Sequence, residues 1–260
     1  MLKGVLSAIG AYKIYERWLW HQVKGGKMPE HIAIILDGNR RWASERLLKS
    51  WMGHKHGAER VSQLLDWCLD LGVKCVTLYS FSTENFKRAP REVEEILRLT
   101  KEKLREILKD ERIYQNKIRV KVIGRVELLP KKLQELIREV EKATQAYDKQ
   151  FLTIALAYGG RAEIVDAAKK IAEKVKQGEL PLEKINEDTF EKFLYTAYMP
   201  RPDPDLIIRT SGEERLSGFL LWQSAYSELC FLDMFWPDFR RIDLLRAVRT
   251  YQQRKRRFGK

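Results

Sequence analysis

His31-Ile32-Ala33-Ile34-Ile35-Leu36 runs directly into Asp37-Gly38-Asn39-Arg40-Arg41-Trp42-Ala43. A nearly continuous apolar run stops at an acid and a glycine. A strand with one wet face alternates polar and apolar residues, whereas a strand covered on both faces does not. The stretch therefore predicts an inner strand of a parallel sheet with polar groups at its carboxyl end. Similar runs recur at 75–79 (CVTLY), 118–123 (IRVKVI), 151–157 (FLTIALA) and 206–208 (LII). Helical spacing separates them. Val61, Leu64, Leu65 and Cys68 mark a helix over 56–71, and Val93, Ile96, Leu97, Leu104 and Ile107 mark a long one over 91–114. Pro130 opens another, and 161–176 forms a fourth that ends before Gly178 and Pro181. This alternation predicts the α/β class: a single domain with a central, mostly parallel sheet flanked by helices. No internal repeat or linker divides residues 27–260. An N-terminal amphipathic helix is expected within 1–26, with Leu2, Leu6, Ile9, Tyr12 and Tyr15 sharing one side.

The 260 residues carry 49 Lys and Arg against 36 Asp and Glu, a net charge of +13. That balance suits anionic partners, or simply a well-solvated surface of the thermophilic kind. The basic stretch 240–260 comes with no recognition motif, so nucleic acid is not an expected partner. Three cysteines without a C-x-x-C pair argue against a zinc or redox site and suit a reducing cytoplasm. No run is apolar enough to span a bilayer. The first helix either packs on the body or lies on a membrane surface, where Trp18 and Trp20 would suit peripheral contact.

Four polar segments each follow a predicted strand: Asp37-Gly38-Asn39, Ser82-Thr83-Glu84-Asn85, Gly159-Gly160-Arg161 and Arg209-Thr210-Ser211-Gly212. In open parallel sheets the ligand crevice lies beyond the carboxyl ends of the strands, so these segments share one rim. Arg40 and Arg41 match phosphate geometry, and Gly38 allows close backbone approach. Asp37 is either a hard ligand for Mg²⁺ or a helix cap. His54, in Gly53-His54-Lys55-His56-Gly57, either contacts phosphate or opens a helix. Arg209, Arg215 and Ser217 surround Gly212 as an anion nest. Both the Walker pattern and the G-x-G-x-x-G pattern are absent. Glu228, an acid among apolar neighbours, needs a metal or an arginine.

Five segments together resemble one family, the cis-prenyltransferases typified by undecaprenyl diphosphate synthase. They are HIAIILDGNRRWA (31–43), GHKHG (53–57), TLYSFSTENFKR (77–88), YGGR (158–161) and DLIIRTSGEERLSGFLLWQSAYSEL (205–229). The resemblance covers the chain from about residue 30 onward. It implies Mg²⁺-dependent condensation of isopentenyl diphosphate onto a farnesyl or geranylgeranyl starter, a hydrophobic tunnel for the growing chain, and a homodimer. A long product would fit a glycosyl carrier lipid. By the same resemblance Asp37 and Asn85 are the catalytic residues, and Asp37 holds Mg²⁺ with support from Glu228 of a second subunit. Gly38, Asn39, Arg40, Arg41, Trp42 and His54 surround the allylic diphosphate. Arg209, Arg215 and Ser217 receive isopentenyl diphosphate. Ser82, Thr83, Glu84, Phe86 and Arg88 belong to the loop that orients the reacting ends, and Arg257-Phe258-Gly259 resembles the family's tail. Arg40 and Arg209-Thr210-Ser211-Gly212 look like archaeal or eukaryotic members. Ser50 stands where bacterial members carry an arginine, a charge that Arg40 or Lys49 would replace. Two alternatives stay open: transfer to a different acceptor, or service as a non-catalytic partner subunit.

Overall fold

The computed structural model describes residues 10–254. Helix α1 spans Ala11–Lys24. Strand β1 (His31–Ile35) leads to α2 (Asn39–Glu45) and α3 (Ser50–Asp70). Strand β2 (Cys75–Ser82) ends in a 3-10 turn, Thr83–Lys87, before α4 (Pro90–Ile107) and α5 (Glu111–Gln115). Then come β3 (Ile118–Ile123), α6 (Lys131–Thr144), β4 (Gln150–Tyr158), α7 (Gly160–Lys176) and α8 (Glu187–Glu191). Strands β5 (Leu206–Thr210) and β6 (Glu228–Leu232) precede α9 (Arg241–Gln253).

The strands make one sheet in the order β3-β4-β2-β1-β5-β6. Every pairing in it is parallel. All five residues of β1 are buried, as its unbroken apolar run requires. Ile32 and Ile34 face one layer of helices, while Ala33 and Ile35 face the other. From β1 the sheet runs to β2, β4 and β3 on one side and to β5 and β6 on the other. The winding reverses at β1, which opens a crevice at its carboxyl end.

Three features differ from expectation. Strand β6 was not foreseen; it is a half-buried edge strand, although Leu229-Cys230-Phe231-Leu232 is itself a short apolar run. The helix expected over 91–114 is broken. Asp110 accepts a 3.0 Å hydrogen bond from the Arg112 N–H and starts α5 afresh. Helix α3 begins at Ser50, earlier than 56, because two glycines inside it obscure the helical pattern.

Helix α1 packs against the body: Leu19 and Val23 are fully buried, and Tyr12 and Tyr15 lie against the core. Ile14 (71% exposed) and Trp18 (45%) face outward. Leu2, Leu6 and Ile9, and the tail residues Arg257-Phe258-Gly259, lie outside the described residues.

His31 is wholly buried, with Nε2 2.8 Å from Thr77 Oγ1. Burial pushes its pKa down from 6.5 to about 4. Between those values the unfolded chain takes up a proton that the native chain refuses. Stability is therefore full above pH 6.5 and falls by about 3 kcal/mol as pH drops through the window. Urea midpoints at pH 7 and pH 4.5 are expected to differ less for His31→Gln than for the wild-type chain.

Candidate active site

Gly38 turns the chain from β1 into α2 at φ +98°, where a Cβ would meet Phe235 Cδ1 at 2.6 Å. Only glycine fits there, and the turn leaves Asp37 facing the crevice. Asp37 Oδ1 accepts the Gly38 N–H at 2.7 Å. Its Oδ2 accepts from Arg209 Nη2 at 2.8 Å and lies 3.6 Å from Arg41 Nη2. Burial pushes the Asp37 pKa upward, but the Arg209 guanidinium outweighs it and holds the carboxyl below its usual value. Asp37 is thus ionised at neutral pH. Arg209, near the end of β5, is 4% exposed and also donates to Ser217 Oγ at 2.8 Å and to the Arg215 carbonyl. Its Nε is buried without a hydrogen-bond partner among the described residues. Such an orphan donor beside a crevice is what an anionic ligand would satisfy. Arg41 donates to Ser211 Oγ at 2.6 Å and Glu213 at 3.2 Å.

A second cluster forms around Glu92 in the first turn of α4. Its Oε1 accepts from Arg88 Nη1 at 3.1 Å, and lies 3.4 Å from His54 Nε2 and 3.6 Å from Arg40 Nε. Sequence reasoning missed Glu92, which reads as one more charge on a charged helix. Its only signal is the i,i+4 spacing to Arg88. Burial lowers the His54 pKa, with Glu92 opposing and Arg88 and Arg40 assisting, so the imidazole is neutral at pH 7.

The glycines of 53–57 serve packing. A Cβ on Gly53 would lie 2.0 Å from the Asn39 carbonyl oxygen, and one on Gly57 2.2 Å from Asn39 Oδ1. Their absence lets α3 press against the start of α2. Asn39 donates to the Leu36 carbonyl at 3.1 Å, while its Oδ1 is buried without a hydrogen-bond partner among the described residues. Across the crevice, Ser82 Oγ accepts the Asn85 N–H at 3.2 Å, and Asn85 Oδ1 accepts the Ser82 N–H at 3.0 Å. This reciprocal cap fixes the loop after β2.

Asp37, Gly38, Asn39, Arg40, Arg41, His54, Ser82, Glu84, Asn85, Arg88, Arg209 and Ser217 all line one crevice of about 620 Å³, joined by Ser50. Trp42, Thr83, Phe86 and Arg215 do not line it. Trp42 turns away to donate to Asp238 at 2.9 Å beneath Arg46. Phe86 meets Phe81 edge-on at 4.9 Å, and Arg215 points to Glu213. Glu228 sits at the start of β6, level with Leu206 and Ile32. It is therefore at the far end of the sheet from Asp37, and it pairs with Arg254 at 2.8 Å.

The crevice continues downward. Leu36, Asn39, His54, Ser80 and Ile96 also border a second cavity between α3, α4 and the sheet, walled by Val61, Leu65, Leu99, Leu104, Leu152 and Ile154. Among the described residues no group of three or more His, Cys, Asp or Glu could cage a metal. A single ionised Asp amid arginines instead suits a dication that arrives with phosphate ligands.

A cationic mouth opening into an apolar cavity defines a protein that takes a phosphate ester by its head and a hydrocarbon tail by its cavity. The chain belongs to the family described as "Putative undecaprenyl diphosphate synthase", whose profile matches residues 35–259. It is 54% identical over 255 residues to a protein of Methanocaldococcus jannaschii, covering 98% of this chain and 91% of that one. It is 52% identical over 249 residues to one of Methanopyrus kandleri, covering 96% and 91%. Both relatives are named tritrans,polycis-undecaprenyl-diphosphate synthase (geranylgeranyl-diphosphate specific). Among solved structures, lavandulyl diphosphate synthase from Lavandula x intermedia, in complex with dimethylallyl diphosphate, matches with TM-score 0.87 at 40% identity, covering 90% of this chain and 99% of that one. A probable undecaprenyl diphosphate synthase from Campylobacter jejuni matches with TM-score 0.73 at 32% identity, covering 90% and 100%.

Proposed function

We propose that this chain is a prenyltransferase that lengthens geranylgeranyl diphosphate by repeated cis condensation with isopentenyl diphosphate. The observation that carries the reading is the shared wall: five residues border both the cationic crevice and the apolar cavity. The names of the archaeal relatives support the starter and a product of undecaprenyl length.

In each condensation the isopentenyl double bond attacks the allylic carbon as the carbon–oxygen bond to diphosphate breaks. Negative charge grows on the departing diphosphate. Arg40, Arg41 and Arg88 stabilise it in place, with the ring of neutral His54 held beside them by Glu92. Arg209 and Ser217 hold the second diphosphate beside Asp37. Orientation of the two partners supplies much of the remaining acceleration. Mg²⁺ fits here as an ion held by Asp37 and the diphosphates, and when bound it neutralises leaving-group charge. Asn85 Oδ1 already accepts the Ser82 N–H, which leaves its NH₂ to orient a diphosphate and makes a diphosphate oxygen the better proton acceptor. Asn85→Ala is expected to slow single turnover by about 10- to 100-fold through lost orientation. An unchanged rate would remove Asn85 from the account.

Glu228 cannot reach Asp37 within one chain, so any support it gives the metal comes from a second copy. A homodimer is part of this reading. Asp37→Ala and Glu228→Ala chains, each inactive alone, should regain about a quarter of wild-type activity after 1:1 exchange, one complete site per mixed dimer. No recovery would show that Glu228 does not complete a second copy's site, and wild-type activity of Glu228→Ala alone would place it outside the site.

The chain is expected to work in the cytoplasm. No described helix is long and apolar enough to cross a membrane. The outward Ile14 and Trp18, beside Lys13 and Arg17, suit shallow contact with an anionic lipid surface.

The test of the function is incubation with Mg²⁺, labelled isopentenyl diphosphate and either geranylgeranyl or farnesyl diphosphate. A ladder from the geranylgeranyl starter is expected. Consumption of starter without label uptake would point to a different acceptor.

A further inference from the structure

Two segments of the rim have no role so far: the end of β2 at Tyr79, and Tyr158-Gly159-Gly160, which opens α7. Both touch one stretch, residues 217–220, and that stretch is strained. Ser217 stands at φ +49° and Leu220 at φ +43°. Side chains stay in this left-handed region only where their surroundings hold them there. Three contacts from the two segments do so. The Gly160 N–H donates to the Gly218 carbonyl at 2.7 Å. The Tyr79 hydroxyl donates to the Ser217 carbonyl at 3.3 Å, with the Tyr158 carbonyl next at 3.5 Å. The Tyr79 ring lies flat on Phe219, with centroids 4.6 Å apart and planes 8° from parallel. Tyr79 reaches this position at a slip in the strand. The pairing of β2 with β4 shifts register between Tyr79 and Phe81, so Tyr79 packs in the layer of Phe219 and Leu220 while Phe81 packs in the opposite one. Tyr79 also borders the crevice, together with Arg209 and Ser217. Burial pushes its phenol up to about 12, so the hydroxyl keeps its proton at neutral pH.

We propose that Tyr79 is a positioning residue for the second diphosphate: by holding the strained turn at Ser217, it keeps Ser217 Oγ against Arg209. The inference rests on the reading above that Arg209 and Ser217 receive isopentenyl diphosphate. Ser217 Oγ accepts from Arg209 Nη1 at 2.8 Å, while Arg209 Nη2 is held by Asp37 at 2.8 Å. A turn relaxed out of the left-handed region would carry Ser217 Oγ away and unfasten one side of the guanidinium. The effect belongs to binding. Isopentenyl diphosphate keeps its diphosphate throughout the condensation, so the charge on that group is the same in the ground and transition states. Contacts to it are uniform binding, which appears in KM and not in kcat. The starter's diphosphate rests on Arg40, Arg41 and Arg88, which Tyr79 does not hold.

The test is a split between the two substrates. Initial rates are measured with Mg²⁺ for wild-type, Tyr79→Phe, Tyr79→Leu and Ser217→Ala chains and for the Tyr79→Phe, Ser217→Ala double variant. Labelled isopentenyl diphosphate is varied at saturating geranylgeranyl diphosphate, and then the reverse. Tyr79→Phe keeps the ring stack and loses only the hydroxyl. Its KM for isopentenyl diphosphate should rise about fivefold, the effect of one neutral hydrogen bond, while kcat and the KM for the starter stay within about twofold of wild type. Tyr79→Leu also loses the stack and should raise that KM by about 20-fold. In the Ser217→Ala background, Tyr79→Phe should add less than about twofold, because the hydroxyl through which it acts is gone. A purely structural role would raise both KM values together or lower the melting temperature. With an active wild-type chain, three results each overturn the proposal and leave the elongation reading intact: an unchanged KM for isopentenyl diphosphate in Tyr79→Phe, an equal rise in the KM for the starter, or the full fivefold effect in the Ser217→Ala background. Absence of label uptake by the wild-type chain overturns both.

Discussion

Asp37→Asn is expected to lower turnover by roughly 10³-fold or more, equivalent to about 4 kcal/mol of transition-state stabilisation, while leaving the fold intact. The amide fills the same space and can still accept the Gly38 N–H. It loses the negative charge that pairs with Arg209 Nη2 at 2.8 Å and that would hold a dication against the diphosphates. Arg209, almost fully buried, then keeps its charge without its carboxylate partner, so a modest loss of thermal stability should accompany the loss of activity. Single-turnover rates with saturating substrates, alongside a thermal melt, separate the two effects. The pH dependence has a defined sign. The Asp37 carboxyl is held below its ordinary value, so its contribution is complete at neutral pH and fails only as pH falls well into the acid range.

Gly53→Ala is the second change with a large expected effect, and it acts through packing. The added Cβ would sit 2.0 Å from the Asn39 carbonyl oxygen and 2.8 Å from its carbonyl carbon, both backbone atoms at the start of α2. No side chain can rotate out of the way, so α2 and α3 must separate. Alanine would otherwise favour the helix by about 1 kcal/mol over glycine. The overlap is expected to exceed that gain and give a net loss of about 2–3 kcal/mol. Displacement of Asn39 and Arg40 from the crevice should also weaken starter binding. Urea denaturation and the KM for the allylic diphosphate report these separately. Gly57→Ala should cost less stability, because its Cβ would meet side-chain atoms, Asn39 Oδ1 at 2.2 Å and Trp236 Cδ1 at 2.9 Å, and it should act mainly by displacing the Asn39 side chain.

Much of this architecture was legible in the chain. The run from His31 to Leu36 could be a doubly covered strand and little else, and the polar residues beyond it had to lie at a carboxyl edge. The parallel sheet, the rim and most residues of the crevice follow from that reading. Strand β6 was overlooked although Leu229 to Leu232 is a continuous apolar run, longer than the one at 206–208. The break before α5 was hidden because Asp110 resembles any other charge on a charged helix until Arg112 bonds to it. Direction also escaped the sequence. Trp42 follows Arg41 immediately, yet one step along α2 turns it away from the crevice toward Asp238. Glu92 was invisible for the complementary reason. Arg40, His54 and Arg88 come from three different segments, and only the fold brings them to one carboxylate. In 53–57 only His54 was read, as contacting phosphate or opening a helix, whereas the glycines beside it allow two helices to touch.

The central claim is that the cationic crevice and the apolar cavity are two ends of one site. A crystal structure with Mg²⁺ and a non-cleavable geranylgeranyl thiodiphosphate tests it most directly. The account predicts the diphosphate among Asn39, Arg40, Arg41, His54 and Arg88, with the hydrocarbon passing Ile96 and lying between α3 and α4 toward Leu104. A diphosphate bound elsewhere, or a tail directed away from that cavity, would contradict it.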